Sequence, residues 1–155
     1  MLVNHVGISV TDVERSIEFY RDGLGLTLFL DQMVSGPDVD LHCNVKGGEF
    51  RMVLLVDGAG NAVELWGWKN PKPQVKPPEH NRFNSVGIVE VGFLVDDLEA
   101  VEKRLGEKGY SFRDPLWVFG KGKNWFGGSY AKIRYALDPD GVQVEVIQLV
   151  PEATP

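Results

Sequence analysis

The chain has 155 residues, 43% of them hydrophobic and 25% charged, which predicts a single globular domain with one core. No apolar run approaches the roughly 20 residues that cross a bilayer, the first residues lack the basic region of a secretory signal, and a formal net charge of −6 without a basic stripe argues against nucleic acid. The single cysteine, Cys43, excludes an internal disulfide, which agrees with a reducing compartment, and we expect a cytoplasmic protein. Because the charge pattern argues against nucleic acid, we expect the partner to be a small molecule.

The first half of the chain predicts a strand, a helix and three further strands. Alternation of side chains indicates a strand over residues 2–10. The capping-box spacing of Thr11 and Glu14 indicates that a helix begins there, and Gly23 is a suitable C-cap. The buried stripe of this helix is predicted to be Val13, Ile17, Tyr20 and Leu24. The later strands are predicted at residues 26–31, 50–56 and 62–68, with residues 32–48 as a loop or a weak strand.

The second half repeats this order. A strand is predicted at residues 88–95 and a helix from Asp97 to about Lys108, where Gly109 ends it. Three strands follow, at residues 111–113, 131–137 and 142–150. The sequence Asp-Pro-Asp-Gly at residues 138–141 is typical of a tight turn between the last two strands. Each half is therefore predicted to be a βαβββ unit.

Two stretches interrupt the regular pattern. Residues 69–85 carry four prolines, which prevent regular structure and predict a stiff linker between a first module, residues 1–68, and a second module, residues 86–150. Residues 151–155 form a tail. The other stretch, residues 119–128, combines four glycines with Trp125 and Phe126, which predicts a mobile lid over a pocket.

The two halves match at their ionisable residues. Residues 3–14 (VNHVGISVTDVE) align with residues 88–99 (IVEVGFLVDDLE), which sets His5 against Glu90. Residues 60–66 (GNAVELW) align with residues 141–147 (GVQVEVI), which sets Glu64 against Glu145. Each half thus offers one such residue on its first strand and one on its last strand, and symmetric pairing of the halves would bring all four together.

One imidazole and three carboxylates predict a divalent metal ion. A single glutamate on a sheet is usually solvated, and a single histidine such as His5 is usually structural, but four matched positions favour a ligand set. The oxygen-rich donors suit Mn²⁺, Mg²⁺, Co²⁺, Ni²⁺ or Fe²⁺ better than an ion that seeks thiolates, and Zn²⁺ stays within the range. The identity of the ion is left open.

Aromatic residues are the candidates for a substrate pocket. Strand alternation places Trp66 and Trp68 on the same face as Glu64, with apolar residues on the opposite face. We therefore interpret that face as the wall of a cavity. Further candidates for the pocket are Trp125, Phe126 and Tyr130.

The chain resembles the vicinal oxygen chelate superfamily, which includes glyoxalase I, methylmalonyl-CoA epimerase, extradiol dioxygenases, thiol-transferring fosfomycin-resistance enzymes and bleomycin-binding proteins. The resemblance rests on NHVGISVTDVERSIEFYRDGLGL, AVELWGW, VEVGFLVDDLEAVEKRLGEKG and YALDPDGVQVEV. It implies an α+β fold in which two βαβββ modules, related by a pseudo-twofold, form a half-barrel sheet around a metal site. It also implies four metal ligands: His5, Glu64, Glu90 and Glu145. The relatives closest in style, glyoxalase I and the epimerase, usually have histidine where this chain has Glu90, so Glu90 is either a ligand or a free base.

The resemblance and the charges together predict a metal-dependent lyase, isomerase or epimerase that acts on a small carbonyl compound through a metal-stabilised, enediolate-type intermediate. Three carboxylates carry more negative charge than one divalent ion neutralises. We therefore expect one of them, Glu145 or Glu90, to transfer a proton of the substrate. One alternative is an extradiol-type dioxygenase, which favours two histidines and would need His42 or His80 in the site. Another is a drug-resistance or small-molecule binding protein without catalysis. We expect a homodimer, with the site either inside one chain or shared across a swapped dimer.

Overall fold

Each half of the chain forms an open four-stranded sheet with a helix after its first strand, as the repeat predicts. The computed structural model describes residues 1–77 and 82–152. The chain divides into two compact units, unit 1 (Met1–Lys76) and unit 2 (Pro77–Pro155). The predicted α+β class and the two βαβββ units are confirmed. No helix in the described ranges has the length and apolar character needed to cross a membrane.

Unit 1 contains β1 (His5–Ser9), α1 (Val13–Ile17) with a π-helical continuation over Glu18–Gly23, β2 (Thr27–Ser35), α2 (Pro37–Cys43), β3 (Glu49–Val56) and β4 (Ala62–Asn70). Its strand order is β1-β4-β3-β2. Strand β1 runs parallel to β4, and the other pairs are antiparallel.

Unit 2 contains β5 (Val91–Leu94), α3 (Leu98–Glu107), β6 (Trp117–Phe119), β7 (Ser129–Leu137) and β8 (Gln143–Pro151). Its strand order, β5-β8-β7-β6, repeats that of unit 1, and β5 is again parallel to β8. The predicted turn at residues 138–141 is formed, because the Asp138 side chain accepts hydrogen bonds from the backbone of Asp140 and Val142.

The helices begin at matching residues of the repeat. Asp12 caps α1 by accepting a hydrogen bond from the Arg15 N–H at 3.2 Å, and Asp97 caps α3 by accepting one from Ala100 at 3.0 Å. The cap of α1 is therefore Asp12 rather than the predicted Thr11. The left-handed residue that ends this helical segment is Gly25, with φ 95°, and not Gly23.

Three predicted regions differ from the structure. Residues 32–48 contain the end of β2 and all of α2, and the helix escaped prediction because Val39 is its only buried residue. Residues 111–113 form only an isolated bridge from Phe112 to Ala136, and the strand lies at β6. The first strand of unit 2 begins at Val91 rather than at residue 88, because the Gln143 side chain, and not a neighbouring strand, bonds the carbonyl of Val89 at 3.1 Å.

The core of each unit lies on the helix side of its sheet. In unit 1 the fully buried strand residues on this side are Val53, Leu55, Val63 and Leu65, together with Ile17 and Tyr20 of the helical segment. In unit 2 the corresponding residues are Val144 and Val146, with Leu98, Val101 and Leu105 of α3. The opposite face of each sheet is therefore left for Glu64 in unit 1 and Glu145 in unit 2.

Helix α1 is held against its sheet by one close approach and one ion-pair network. Gly67 of β4 lies so close to Val13 that a Cβ at Gly67 would meet the Val13 Cγ2 at 2.0 Å. Beside this contact, the Arg51 guanidinium donates to Asp31 of β2 at 2.7 Å and to Glu14 of α1 at 2.5 Å. Arg51 therefore joins α1 to two strands at the place where the helix is closest to the sheet.

We expect the Gly67→Ala change to lower the free energy of unfolding by about 1–3 kcal/mol, because Val13 or the whole of α1 must move to admit the methyl group. The control is Gly106→Ala in α3, where a Cβ meets open space. That change should raise stability by about 0.5–1 kcal/mol, the usual gain of alanine over glycine within a helix. Urea unfolding measures both values. Equal stability of Gly67→Ala and the parent protein would show that the contact with Val13 is easily relieved.

Candidate active site

The repeat places one glutamate of each unit opposite a glycine, and of the two Glu64 is buried and Glu145 half-buried. In unit 1, Gly7 of β1 pairs with Glu64 of β4, and in unit 2 Gly92 of β5 pairs with Glu145 of β8. A Cβ at Gly7 would lie 3.8 Å from Glu64 Oε2, and a Cβ at Gly92 would lie 3.3 Å from Glu145 Oε2. The two carboxylates thus occupy equivalent places, and in both the Oε2 atom faces the space that the missing side chain leaves.

In unit 1 the carboxylate lies beside an imidazole. His5 Nε2 is 3.6 Å from Glu64 Oε2, and His5 Nδ1 is 2.8 Å from the side-chain oxygen of Asn4. When Nδ1 carries the proton that Asn4 accepts, Nε2 presents a lone pair toward Glu64, and two acceptors then face each other. A cation is the natural partner of such a pair, and metal-binding histidines typically donate their other N–H in this way.

Unit 2 combines two carboxylates with a phenol. The Tyr135 hydroxyl donates a hydrogen bond to Glu145 Oε1 at 2.7 Å. Burial raises the pKa of Glu90, the charge of Glu145 raises it further, and the neighbouring Tyr135 hydroxyl partly opposes both effects. Burial and the hydrogen bond to Glu145 raise the pKa of Tyr135, which keeps its hydroxyl protonated as a donor. The three groups therefore form one electrostatically coupled cluster.

The four predicted ligands form two pairs, one in each unit. Unit 1 brings His5 and Glu64 together, and unit 2 brings Glu90 close enough to Glu145 for their charges to interact. Within residues 1–77 and 82–152, no group of three or more His, Cys, Asp and Glu side chains is arranged to hold a metal ion. The donors nevertheless fit a hard divalent ion, because three of the four are carboxylates and one oxygen of each of Glu64 and Glu145 faces a glycine.

The other histidines do not extend the described site. His42 is exposed near the end of α2, and the free Cys43 beside it is half-buried. His80 lies outside the described residues.

An aromatic wall lies on the face of unit 1 that carries Glu64. The rings of Phe50 and Trp66 are stacked with centroids 4.6 Å apart, and Trp68 lies 4.7 Å from Phe50. Trp66 and Trp68 also contact each other at 6.0 Å, in agreement with their predicted common face. Trp66 Nε1 is buried without a hydrogen-bond partner in the described part of the chain, and a Cβ at Gly7 would lie 3.6 Å from it.

The remaining aromatic candidates lie around the glycine-rich loop of unit 2. Trp125 and Phe126 surround Phe119, with ring centroids 5.2 and 6.1 Å away, and the Lys121 ammonium lies 5.4 Å from the ring of Tyr130. The backbone of the loop is held as well, since Glu152 accepts a hydrogen bond from the Gly122 N–H at 2.6 Å. The predicted mobility of this lid stays a prediction.

Sequence reasoning missed Tyr135 and Phe50. The tyrosine could have been found from its position in the repeat, because Tyr135 lies across from Glu145 as Leu54 lies across from Glu64. The alignment sought ionisable residues that match, and Tyr135 matches a leucine. Phe50 was placed in a strand, but alternation alone did not reveal that its ring stacks on Trp66.

Comparisons with known proteins bear on the family and the fold of this chain. A family model described as the Glyoxalase/Bleomycin resistance protein/Dioxygenase superfamily matches residues 2–146. Glyoxalase I of Saccharomyces cerevisiae is 27% identical over 95% of the chain, which spans only 44% of that relative.

Two solved structures share the fold. A glyoxalase family protein from Bacillus cereus has a TM-score of 0.79 and 19% identity, covering 95% of this chain and 93% of that one. A glyoxalase I mutant from Zea mays has a TM-score of 0.63 and 20% identity, covering 94% of this chain and 44% of that one.

The raised pKa of Glu90 predicts a pH dependence of stability. The folded protein binds the Glu90 proton more tightly than the unfolded chain, so the free energy of unfolding falls as the pH rises from 4.5, the ordinary value, through the raised pKa. Glu90→Gln should remove this fall and be more stable than the parent at neutral pH. Thermal unfolding of chelator-treated protein tests it, with Glu107→Gln on α3 as the control. A parallel pH profile for Glu90→Gln and the parent would contradict the prediction.

Proposed function

This chain belongs to the Glyoxalase/Bleomycin resistance protein/Dioxygenase superfamily, and on that premise we propose that it is a metal-dependent lyase, isomerase or epimerase acting on a small carbonyl compound. One observation carries the proposal. Each unit sets a glutamate opposite a glycine and places a second ionisable residue, His5 or Glu90, beside that glutamate. A protein that needed only two stable sheets would have no reason to repeat such a pair.

The proposed ligands of a divalent ion are His5 and Glu64 from unit 1 and Glu145 from unit 2, contributed by one chain or by two chains of a homodimer. When bound, the ion would act as a Lewis acid that draws electron density from a carbonyl oxygen. Glu64 is only 9% exposed, so its charge calls for a cation. His5 supports the same reading through the orientation of its ring by Asn4.

Glu90 is the better of the two candidates for proton transfer. Glu145 already accepts the hydrogen bond of Tyr135, which suits a carboxylate with a fixed position. Glu90 precedes β5, and its raised pKa favours uptake of a proton. In this assignment Glu90 takes the proton from the carbon next to the carbonyl group and returns it, while Glu145 remains a ligand.

The aromatic wall is proposed to bind the substrate. Phe50, Trp66 and Trp68 form an apolar surface beside Glu64, which would keep water away from the reacting carbon. Trp125, Phe126 and Tyr130 remain further candidates, and the loop that carries them would cover the ligand.

The aromatic wall also favours a second candidate function, the binding of a small apolar molecule without catalysis. Stacked rings hold a planar ligand without any metal. Metal content separates the two functions.

We expect the purified protein to take up about one Mn²⁺ per chain, and the double change Glu64→Gln plus Glu145→Gln to abolish this uptake, because each amide removes a negative ligand. The matched control is Glu99→Gln plus Glu107→Gln, which removes two exposed carboxylates of α3. Elemental analysis after reconstitution gives the stoichiometry. If Mn²⁺, Co²⁺, Ni²⁺, Zn²⁺ and Fe²⁺ all fail to bind the parent protein, the binding function replaces the enzymatic one.

The role of Glu90 is tested with hydroxyacetone as a probe carbonyl compound in D₂O. The metal-loaded parent should exchange the hydrogen beside the carbonyl group, and Glu90→Gln should slow this exchange by about 10²–10⁴-fold, the usual contribution of a general base. Proton NMR follows the exchange, and Glu99→Gln serves as the control. A Glu90→Gln variant that loses its metal would identify Glu90 as a ligand, and unchanged exchange would exclude it as the base.

A further inference from the structure

We infer that Tyr135 is a positioning residue that fixes the carboxylate of Glu145 so that its Oε2 atom is presented to the metal. The inference rests on the proposed function, because it takes Glu145 as a ligand. It goes beyond that function in assigning a role to a residue outside the repeated ionisable set.

The hydrogen bond from Tyr135 makes the two carboxylate oxygens of Glu145 inequivalent. Oε1 accepts the Tyr135 hydroxyl at 2.7 Å, whereas Oε2 is the atom nearest to the missing side chain of Gly92. In unit 1 the equivalent Oε2 of Glu64 faces Gly7 and lies 3.6 Å from His5 Nε2. Tyr135 therefore leaves Oε2 of Glu145 available, and this oxygen is equivalent to the Glu64 oxygen that faces a glycine in unit 1.

The ring of Tyr135 is itself held in place. Phe83 meets it edge to face at 5.1 Å, and the Arg113 guanidinium lies 5.8 Å from its centroid. Arg113 is in turn fixed by its hydrogen bond to the Gln143 side chain at 2.7 Å. Because these contacts involve the ring and not the hydroxyl, a phenylalanine at this position would keep them.

Unit 1 has a leucine in the corresponding place. Leu54 pairs with Glu64 in the same register in which Tyr135 pairs with Glu145. A leucine donates no hydrogen bond, so Glu64 is not held in this way and has His5 as its neighbour instead. Unit 1 thus forms an equivalent Gly–Glu pair without a tyrosine, which shows that the fold does not need the Tyr135 hydroxyl to form such a pair.

A fixed carboxylate binds an ion more tightly than a mobile one, because less conformational freedom is lost on binding. Hydrogen-bond partners of metal ligands typically contribute 10–100-fold to affinity. We therefore expect Tyr135→Phe to weaken Mn²⁺ binding by about 10–100-fold, with unfolding still cooperative. Tyr110→Phe, which removes a hydroxyl near the end of α3, should bind Mn²⁺ as the parent does.

A double-mutant cycle distinguishes positioning from a structural role. If Tyr135 acts through Glu145, the change Tyr135→Phe should have no further effect on Mn²⁺ affinity in a Glu145→Gln background. Isothermal titration of the parent, both single variants and the double variant gives the coupling. Equal affinities of the parent and Tyr135→Phe, or additive effects of the two changes, would overturn the inference.

Crystal structures of the metal-free protein give a test that does not depend on metal. The parent should show one Glu145 rotamer within hydrogen-bond distance of Tyr135, and Tyr135→Phe should show more than one. A parent structure in which Glu145 is mobile or separated from Tyr135 would refute the positioning role without any variant. Failure of the parent to bind any metal would instead refute the proposed function and the presentation of Oε2 to a metal, while these structures still decide whether Tyr135 fixes Glu145.

Discussion

The parallel pairing of the first and last strands in each unit is the constraint on which the site depends. Strand β4 lies between β3 and β1, so residues far apart in sequence become neighbours at Gly7 and Glu64. Strands β5 and β8 repeat this relation at Gly92 and Glu145. A shift of one residue in either register would turn the carboxylate toward the buried helix side, where an ionised group would be strongly unfavourable.

The two units share a backbone plan and differ in side chains. Unit 1 stacks Phe50 on Trp66, whereas the same positions of unit 2 are Ala131 and Ile147. Unit 2 in return has Tyr135 where unit 1 has Leu54. One unit therefore carries a flat apolar surface beside its glutamate, and the other carries a hydrogen-bonding phenol beside its own.

Periodicity predicted most of the fold because apolar residues recur at every second position on the helix side of strands such as β4 and β8. It failed for α2, whose single buried residue leaves no stripe to detect. It also began the first strand of unit 2 at residue 88, although the Gln143 side chain replaces the ladder bond at Val89. The repeat located the ionisable pairs, but alternation specifies faces and not distances. The bond from Tyr135 to Glu145 and the stacking of Phe50 on Trp66 therefore required coordinates.

The buried indole N–H of Trp66 gives the protein an optical property. An indole without a polar partner, packed against Phe50, emits at shorter wavelength than one in water. Trp117 and Trp125 are 50% and 60% exposed, so their emission lies toward the red. The blue edge of the intrinsic fluorescence spectrum consequently reports on Trp66 beside Glu64, and the exposed tryptophans in and beside the glycine-rich loop contribute at the red edge. A ligand on the wall and a movement of the loop would each leave a separate spectral signature without any attached dye.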